Sequence, residues 1–174
     1  MRLTGTDKRC AAVLFFSILL ITVPVCLPAG AEGESKAASA FAAPDFDLQD
    51  LNGSHVTLSQ FRGQKAVLLY FWATWCHNCE AVRPAVIKLR KTSAPDIEIL
   101  AIDVGKGDSL AKVQRFEKAD PAPYTVLYDL DSKVTRSFHI EGVPHFVLLD
   151  KNGAVKYNGT QLPFFPLSIL LEEE

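Results

Sequence analysis

The pattern of hydrophobic and polar positions predicts strands and helices in alternation over most of the chain. Residues 66–72 form a continuous apolar run with β-branched and aromatic members, which is typical of a central strand covered on both faces. Val82, Ala85, Val86 and Leu89 follow at the spacing of a single helical stripe. A buried strand leading directly into an amphipathic helix is therefore predicted.

The same reasoning predicts further elements on either side. Before the central strand, two short alternating segments flank Asn52-Gly53, which is expected to supply both positive-φ positions of a tight hairpin turn. After the helix, Asp108 or Ser109 is expected to cap a second helix. The remaining predicted elements are strands at 97–104, 124–128, 145–150 and 154–157, a helical turn at 134–138 and a short C-terminal helix from Pro166.

This order of elements predicts an α/β fold. Strands separated by helices are expected to be parallel, whereas the turn-linked pair near the end of the chain is expected to be antiparallel. The predicted architecture is therefore a mixed central sheet with helices on both faces and an added N-terminal β-hairpin.

The first 31 residues carry the features of a targeting segment. Arg2, Lys8 and Arg9 precede an apolar run, and Ala29-Gly30-Ala31 provides a small-x-small cleavage site. The apolar stretch 11–27 also reaches the lower limit for spanning a bilayer, so a cleaved signal peptide and an N-terminal membrane anchor both stay open. Either one predicts a periplasmic or other extracytoplasmic domain at 44–174, preceded by a linker at 32–43.

Composition and charge narrow the functional classes. Hydrophobic residues make up 48% of the chain and charged residues 22%, as in ordinary soluble globular proteins. The net charge is −2 and no run of basic residues occurs, which excludes nucleic acid as an expected partner. Cys10 and Cys26 lie in the targeting segment, so Cys76 and Cys79 carry all the sulfur chemistry expected of the domain.

Cys76 and Cys79 lie between the predicted central strand and its helix, which is the context of a redox C-x-x-C motif. A helix N-terminus favours the thiolate, so Cys76 is predicted to be the nucleophile and Cys79 to resolve mixed disulfides. The reversible Cys76–Cys79 disulfide then needs no further cofactor or metal. A purely structural disulfide would close too short a ring to stabilise much, and a zinc site would need more ligands than the sequence offers.

The motif 71–79, with Pro84 beyond it and Gly142-Val143-Pro144 downstream, resembles the thioredoxin superfamily, and 43–46 and 101–105 resemble its TlpA/ResA-like exported members. The resemblance implies a thiol-disulfide oxidoreductase that acts on protein thiols or disulfides. It also implies a cis Pro144, substrate contacts at Trp75, Val143 and Pro144, apocytochrome c as a client and a membrane electron donor.

Two positions depart from the patterns of these proteins. Thioredoxins carry a buried acid in the strand before the motif, and the ResA-like group carries a glutamate three residues after the second cysteine. Tyr70 and Val82 stand at these positions here. Because a buried carboxylate helps to remove the proton of the deeper cysteine, its absence is expected to slow the resolving step.

Other candidate functions depend on residues close to the pair. A cationic His77 would stabilise the Cys76 thiolate, although an exposed spacer residue is an equally good interpretation. Together with His77 or His145, the two cysteines could instead bind Cu(I), or the domain could be a redox-silent interaction module. A peroxiredoxin-like peroxidase is disfavoured, because Ala73 stands where such enzymes need threonine or serine.

Overall fold

A computed structural model describes residues 42–93 and 97–163 of the chain. The predicted targeting segment, most of the linker and the predicted helix from Pro166 lie outside these residues. Ala42 and Ala43 already contact the domain, because Ala42 pairs with Ala154 and the Ala43 amide donates to the Gly153 carbonyl at 3.1 Å. No helix within the described ranges is both long and apolar enough to cross a membrane.

Seven strands and three α-helices make up the described domain, and their order confirms the predicted alternation. The strands are β1 (Asp47–Asp50), β2 (His55–Thr57), β3 (Ala66–Trp72), β4 (Ile97–Asp103), β5 (Thr125–Tyr128), β6 (His145–Leu149) and β7 (Val155–Gly159). The helices are α1 (His77–Ser93), α2 (Leu110–Ala119) and α3 (Lys133–Ser137), with a 3-10 helix at Leu58–Phe61.

The strands form one mixed sheet in the order β2-β1-β5-β4-β3-β6-β7. Strand β3 lies at its centre, parallel to β4 and antiparallel to β6, and all seven of its residues are buried. The N-terminal hairpin of β1 and β2 extends the sheet by pairing β1 antiparallel to β5. The predicted mixed sheet and added hairpin are therefore confirmed, but the parallel direction expected of a strand that follows a helix is wrong for β6. The five-residue α3 is too short to carry the chain back along the sheet, so β6 runs opposite to β3.

Neighbouring residues of β3 show that helices cover both faces of the sheet. The Trp72 ring contacts Phe116 of α2 and lies under the guanidinium group of Arg83 of α1. The Phe71 ring points to the opposite face, where it contacts Phe138 directly after α3. This alternation explains why the run 66–72 is apolar throughout.

The hairpin turn differs from the prediction in one detail. Gly53 has a φ of 87°, but Asn52 does not have a positive φ, so the turn is not built on two left-handed residues. The Asp50 side chain organises it instead, accepting hydrogen bonds at 2.8 Å from the amides of both Asn52 and Ser54. A carboxylate that accepts nearby backbone N–H groups replaces the second positive-φ position.

Candidate active site

The two cysteines lie where the central strand passes into α1. Cys76 directly precedes the first residue of α1, and its carbonyl accepts from the amides of Cys79 at 3.0 Å and Glu80 at 3.1 Å. Cys79 lies in the first helical turn. The prediction placed both cysteines in that turn, whereas Cys76 occupies the capping position just before it.

Cys76 and Cys79 are joined by a disulfide bond, with 5.2 Å between their Cα atoms. The Cys79 amide also donates a hydrogen bond to the Cys76 sulfur at 3.1 Å. Cys76 is 7% exposed and Cys79 only 1%. Of the two sulfurs, that of Cys76 is therefore the one nearer to solvent and to the positive end of the α1 dipole.

The indole of Trp75 is fixed beside the pair by the loop between β4 and α2. Its Nε1 donates to the Lys106 carbonyl at 2.8 Å, and Gly107 lies against the ring with a φ of 79°. A β-carbon on Gly107 would come within 2.9 Å of Nε1. Trp75 nevertheless stays 53% exposed, so these contacts hold an apolar surface next to Cys76.

Val143 and Pro144 are joined by a cis peptide bond, as the family resemblance implied. Both residues are half-buried at the start of β6. Val143 and Trp75 both line a groove of about 400 Å³, to which Lys106, Ile140 and Arg136 also contribute. The structure thus brings two of the three predicted substrate contacts to one concave surface.

The histidines near the pair occupy different environments. The His77 side chain is 92% exposed, and its Nδ1 lies 4.0 Å from a carboxylate oxygen of Glu80. His145 Nε2 is hydrogen-bonded to the Asn158 side chain at 2.5 Å. Among residues 42–93 and 97–163, no group of three or more histidine, cysteine, aspartate or glutamate side chains is arranged to hold a metal ion.

Tyr70 fills the strand position at which thioredoxins carry the buried acid. The ring is 1% exposed, and its hydroxyl donates to the backbone carbonyl of Cys79 at 3.0 Å. Burial raises the pKa of Tyr70 well above its usual value of 10.0. Tyr70 is therefore a neutral hydrogen-bond donor beneath the deeper cysteine.

Sequence reasoning missed a pair of carboxyl groups behind the active-site turn. Asp108 was considered only as a helix cap, but Ser109 performs that role, accepting from the Lys112 amide. The Asp108 carboxylate instead accepts hydrogen bonds from the Thr74 amide at 2.8 Å and the Thr74 hydroxyl at 2.5 Å. Asp103, at the end of β4, lies behind it and is wholly buried. An acid ending a buried strand was the available signal.

A second missed feature is Arg83, which is only 4% exposed although it lies on α1 four residues after Cys79. Its guanidinium group makes two hydrogen bonds to the Glu117 carboxylate, at 2.8 and 2.9 Å. It also lies over the rings of Trp72, Phe116 and Tyr124. Arg83 therefore joins the active-site helix to α2 through a buried ion pair and aromatic contacts.

Comparison with known proteins identifies the family. The model of the AhpC/TSA family matches residues 41–158, which is well over half of the chain and includes the whole site. The chain belongs to the AhpC/TSA family. This AhpC/TSA family member is 36% identical over 115 residues to the thiol-disulfide oxidoreductase ResA of Geobacillus kaustophilus, a match covering 66% of this chain and 64% of that protein. It is 33% identical over 124 residues to ResA of Bacillus subtilis, covering 71% and 68% of the two chains.

Solved structures agree with this assignment. The thioredoxin domain of a thiol-disulfide oxidoreductase from Bacteroides vulgatus matches with a TM-score of 0.61 and 26% identity, covering 70% of this chain and 87% of that one. The exposed lipoprotein thioredoxin Etrx1 of Streptococcus pneumoniae matches with a TM-score of 0.59 and 26% identity, over 74% and 96% of the chains. The predicted thioredoxin fold and ResA-like resemblance of this AhpC/TSA family member are confirmed. The chain spans less than two thirds of the Geobacillus relative.

Proposed function

We propose that this protein is a thiol-disulfide oxidoreductase that exchanges electrons with protein disulfides outside the cytoplasm. The observation that carries the proposal is the Cys76–Cys79 disulfide at the start of α1, in which Cys76 is the more exposed partner. A disulfide that only stabilised the fold would need no difference in exposure between its two cysteines. An exchange reaction, however, requires one sulfur to reach the substrate. The named activity of the ResA relatives supports the same chemistry.

In the reducing direction, the Cys76 thiolate attacks one sulfur of the substrate disulfide and expels the other as a thiolate. Cys79 loses its proton and attacks the Cys76 sulfur of this mixed disulfide, which releases the second substrate thiolate. Two electrons pass to the substrate, which becomes a dithiol after taking up two protons, and the enzyme becomes the disulfide. The opposite direction reverses each step.

The groove beside the pair supports an extended protein segment as the substrate. Trp75 offers an apolar surface and Val143 borders the same groove, while Pro144 follows Val143 in the chain. These three residues are proposed to position the substrate sulfur against Cys76. His77 is proposed to modulate the Cys76 thiolate, because its exposed ring is only one residue away.

The extracytoplasmic setting is supported by the features of residues 1–31 and by the ResA-like resemblance. The proposed client is apocytochrome c, and the proposed electron donor is a membrane protein that re-reduces Cys76 and Cys79. Both follow from the resemblance. Reduction of an apocytochrome c peptide containing a disulfide, compared with a scrambled peptide of the same composition, tests the client.

Trapping of mixed disulfides by the full chain, with Cys10 and Cys26 replaced by serine, tests the chemistry. Cys79→Ser removes the resolving thiol, so this variant should accumulate a covalent adduct with a disulfide-containing protein, detected on a non-reducing gel. Cys76→Ser is the matched control, because it keeps one cysteine in the motif and should form little adduct. Equal adduct formation by the two variants, or none by either, would overturn the proposed function.

The direction of electron flow follows from the reduction potential of the full chain, titrated against thiol/disulfide buffers. A midpoint below about −230 mV is expected for a reductase, whereas a midpoint near −120 to −180 mV would indicate an oxidant or isomerase. If no reversible two-electron transition appears, the exchange function is wrong. Stoichiometric Cu(I) retention would then favour the copper-binding alternative.

A further inference from the structure

The turn that carries Cys76 is held by the loop 105–109 rather than by strand pairing. Strand β3 ends at Trp72 and α1 begins at His77, so the intervening residues lie outside regular secondary structure. Asp108 binds both the amide and the hydroxyl of Thr74, two residues before Cys76. The Asp108 carboxylate therefore helps to hold the turn, together with the bond from Trp75 to the Lys106 carbonyl and the bond from the Cys76 amide to the Ala73 carbonyl.

Asp108 is a fully buried carboxylate with several partners. Its side chain is 0% exposed, and the Lys112 ammonium group lies 2.6 Å from one oxygen. Burial acts to raise the pKa of Asp108, but the hydrogen bonds from Lys112 and Thr74 lower it below its usual value. Asp108 is thus ionised at neutral pH and is able to accept from Thr74.

Asp103 lies behind Asp108 with one oxygen that has no donor. Its Oδ1 accepts from the Gly105 amide at 2.9 Å, but Oδ2 is buried without such a partner. Burial raises the pKa of Asp103 to about 8, and the facing Asp108 carboxylate adds to this effect. The interaction between the two side chains raises the pKa of Asp103 and lowers that of Asp108, which is the direction expected when Asp103 carries the proton and Asp108 accepts from it.

In the described part of the chain, Lys112 and Tyr128 are the other charged or titratable groups that face the two carboxyl groups. Lys112 approaches from α2, and from β5 the Tyr128 hydroxyl donates to the Asp108 backbone carbonyl at 3.2 Å. The β3 residue paired with Asp103 is Trp72, which is uncharged. With one shared proton and one lysine cation, the two carboxyl groups together with Lys112 are electrically neutral.

We propose that Asp103 is a positioning residue for thiol-disulfide exchange: in its protonated form it secures the Asp108 carboxylate that holds Thr74, and thereby fixes the turn carrying Cys76. The inference rests on the proposed function, because it concerns the reaction of Cys76. Loss of the proton would leave two carboxylates facing each other in a buried site with a single lysine cation, and their repulsion would displace Asp108 from Thr74.

Asp103→Asn keeps the hydrogen bond from residue 103 to Asp108 but removes the group that loses a proton as pH rises. The amide oxygen of asparagine can accept from Gly105 and its N–H group can donate to Asp108, as the protonated acid does, but the amide keeps this donor at every pH. Asp103→Ala removes both bonds. The asparagine variant is therefore the conservative replacement, and the alanine variant measures the loss of the contact.

The test is the single-turnover rate of the reduced full chain with the small disulfide 4,4′-dithiodipyridine, measured between about pH 6 and about pH 10. Cys10 and Cys26 are replaced by serine in every variant, so that their thiols do not contribute to the reaction. Each rate is divided by the fraction of Cys76 thiolate, measured for every variant by the ultraviolet absorbance of the thiolate, because the charge of Asp103 can itself change the pKa of the thiol. The ratio of the corrected Asp103→Asn rate to the corrected wild-type rate then isolates the position of Cys76. This ratio should be close to one near pH 6.5 and should rise about tenfold by about pH 9.5, the size expected when a reacting group is misplaced. Asp103→Ala should be about tenfold slower than wild type at low pH.

A ratio that stays constant over the whole pH range would overturn the inference. It does so even if Asp103→Ala fails to fold, because the conclusion depends on the asparagine variant alone. Cys76→Ser in the same assay distinguishes a failure of the proposed function from a failure of the role of Asp103. If Cys76→Ser reacts as fast as wild type, the proposed function fails, whereas an inactive Cys76→Ser together with a constant ratio refutes only the role of Asp103.

Discussion

The hydroxyl group of Tyr70 donates a hydrogen bond to the backbone carbonyl of Cys79, with 3.0 Å between the two oxygens. This contact replaces the buried carboxylate of thioredoxins with a neutral group that steadies the first turn of α1. Because burial raises the pKa of Tyr70 far above neutral pH, its hydroxyl does not serve as a base for the Cys79 thiol. A carboxylate could both support the helix and accept the proton of Cys79, whereas Tyr70 does only the first.

Tyr70→Phe is expected to lower the free energy of unfolding by about 1 to 2 kcal/mol, because a buried hydrogen bond is lost with little change in volume. Urea denaturation of the oxidised protein measures this loss. Tyr157→Phe is the control, since its hydroxyl bonds to the Gln161 carbonyl in an exposed position. Equal losses for the two variants would show that the Cys79 contact contributes nothing specific.

Val82→Glu is expected to speed the resolving step. Val82 is half-buried on α1, three residues after Cys79, so a carboxylate there would lie on the same side of the helix as the deeper cysteine. Reduction of a small-molecule disulfide near about pH 7 measures the rate, and a gain of about tenfold or more is expected from general base catalysis. Val82→Gln has nearly the same shape without the charge, and an equal rate for both variants would disprove the explanation.

Glu117→Ala should destabilise the protein strongly, because it leaves the buried Arg83 cation without its bidentate partner. A loss of about 3 to 5 kcal/mol in the free energy of unfolding is expected. Asp120→Ala is the matched control, since Asp120 also bonds to Arg83 but its side chain is 70% exposed. That variant should lose less than about 1 kcal/mol, and similar losses for both would contradict the assignment of Glu117 as the principal partner.

Gly107→Ala should displace the Trp75 indole, because a β-carbon would come within 2.9 Å of Nε1. The rate of protein disulfide reduction should therefore fall. Gly53→Ala, in an exposed turn, is the control because it introduces a similar backbone strain. Gly53 has a φ of 87° and open space around its β position, so Gly53→Ala carries the conformational cost of about 1 to 2 kcal/mol without touching Trp75. Full activity in Gly107→Ala would show that the position of the indole does not matter for exchange.

Asp103→Asn should change the pH dependence of stability as well as that of the rate. The folded-state pKa of Asp103 is raised from 3.8 to about 8, so between these values the folded protein binds a proton that the unfolded chain has released. The wild-type free energy of unfolding therefore falls as pH rises, by up to about 1.4 kcal/mol per pH unit relative to Asp103→Asn, and the difference levels off above about pH 8. Urea denaturation at several pH values measures this difference, and one that does not vary with pH would refute the raised pKa.

Local spacing along the sequence was sufficient to predict most elements and the redox pair. The apolar run of β3, the single stripe of α1 and the three-residue separation of Cys76 and Cys79 are all properties of near neighbours. A strand buried on both faces has a continuous apolar sequence, and a redox pair has two cysteines three residues apart. Both features can be recognised in the sequence without knowledge of the rest of the fold. The resemblance to ResA-like thioredoxins supplied the cis peptide at Pro144, which no local pattern shows.

Only the tertiary structure decided how the distant charges are used. In sequence, Arg83 looks like any polar position of an amphipathic helix, yet its partner Glu117 lies 34 residues away and the two meet only because α1 and α2 cover the same face of the sheet. Asp108 likewise reaches Thr74 across 34 residues, and Asp103 is buried only because β4 pairs with β3 on one side and β5 on the other. Secondary structure follows from periodicity within a few residues, whereas the protonation and pairing of a buried charge depend on which groups the folded sheet brings together.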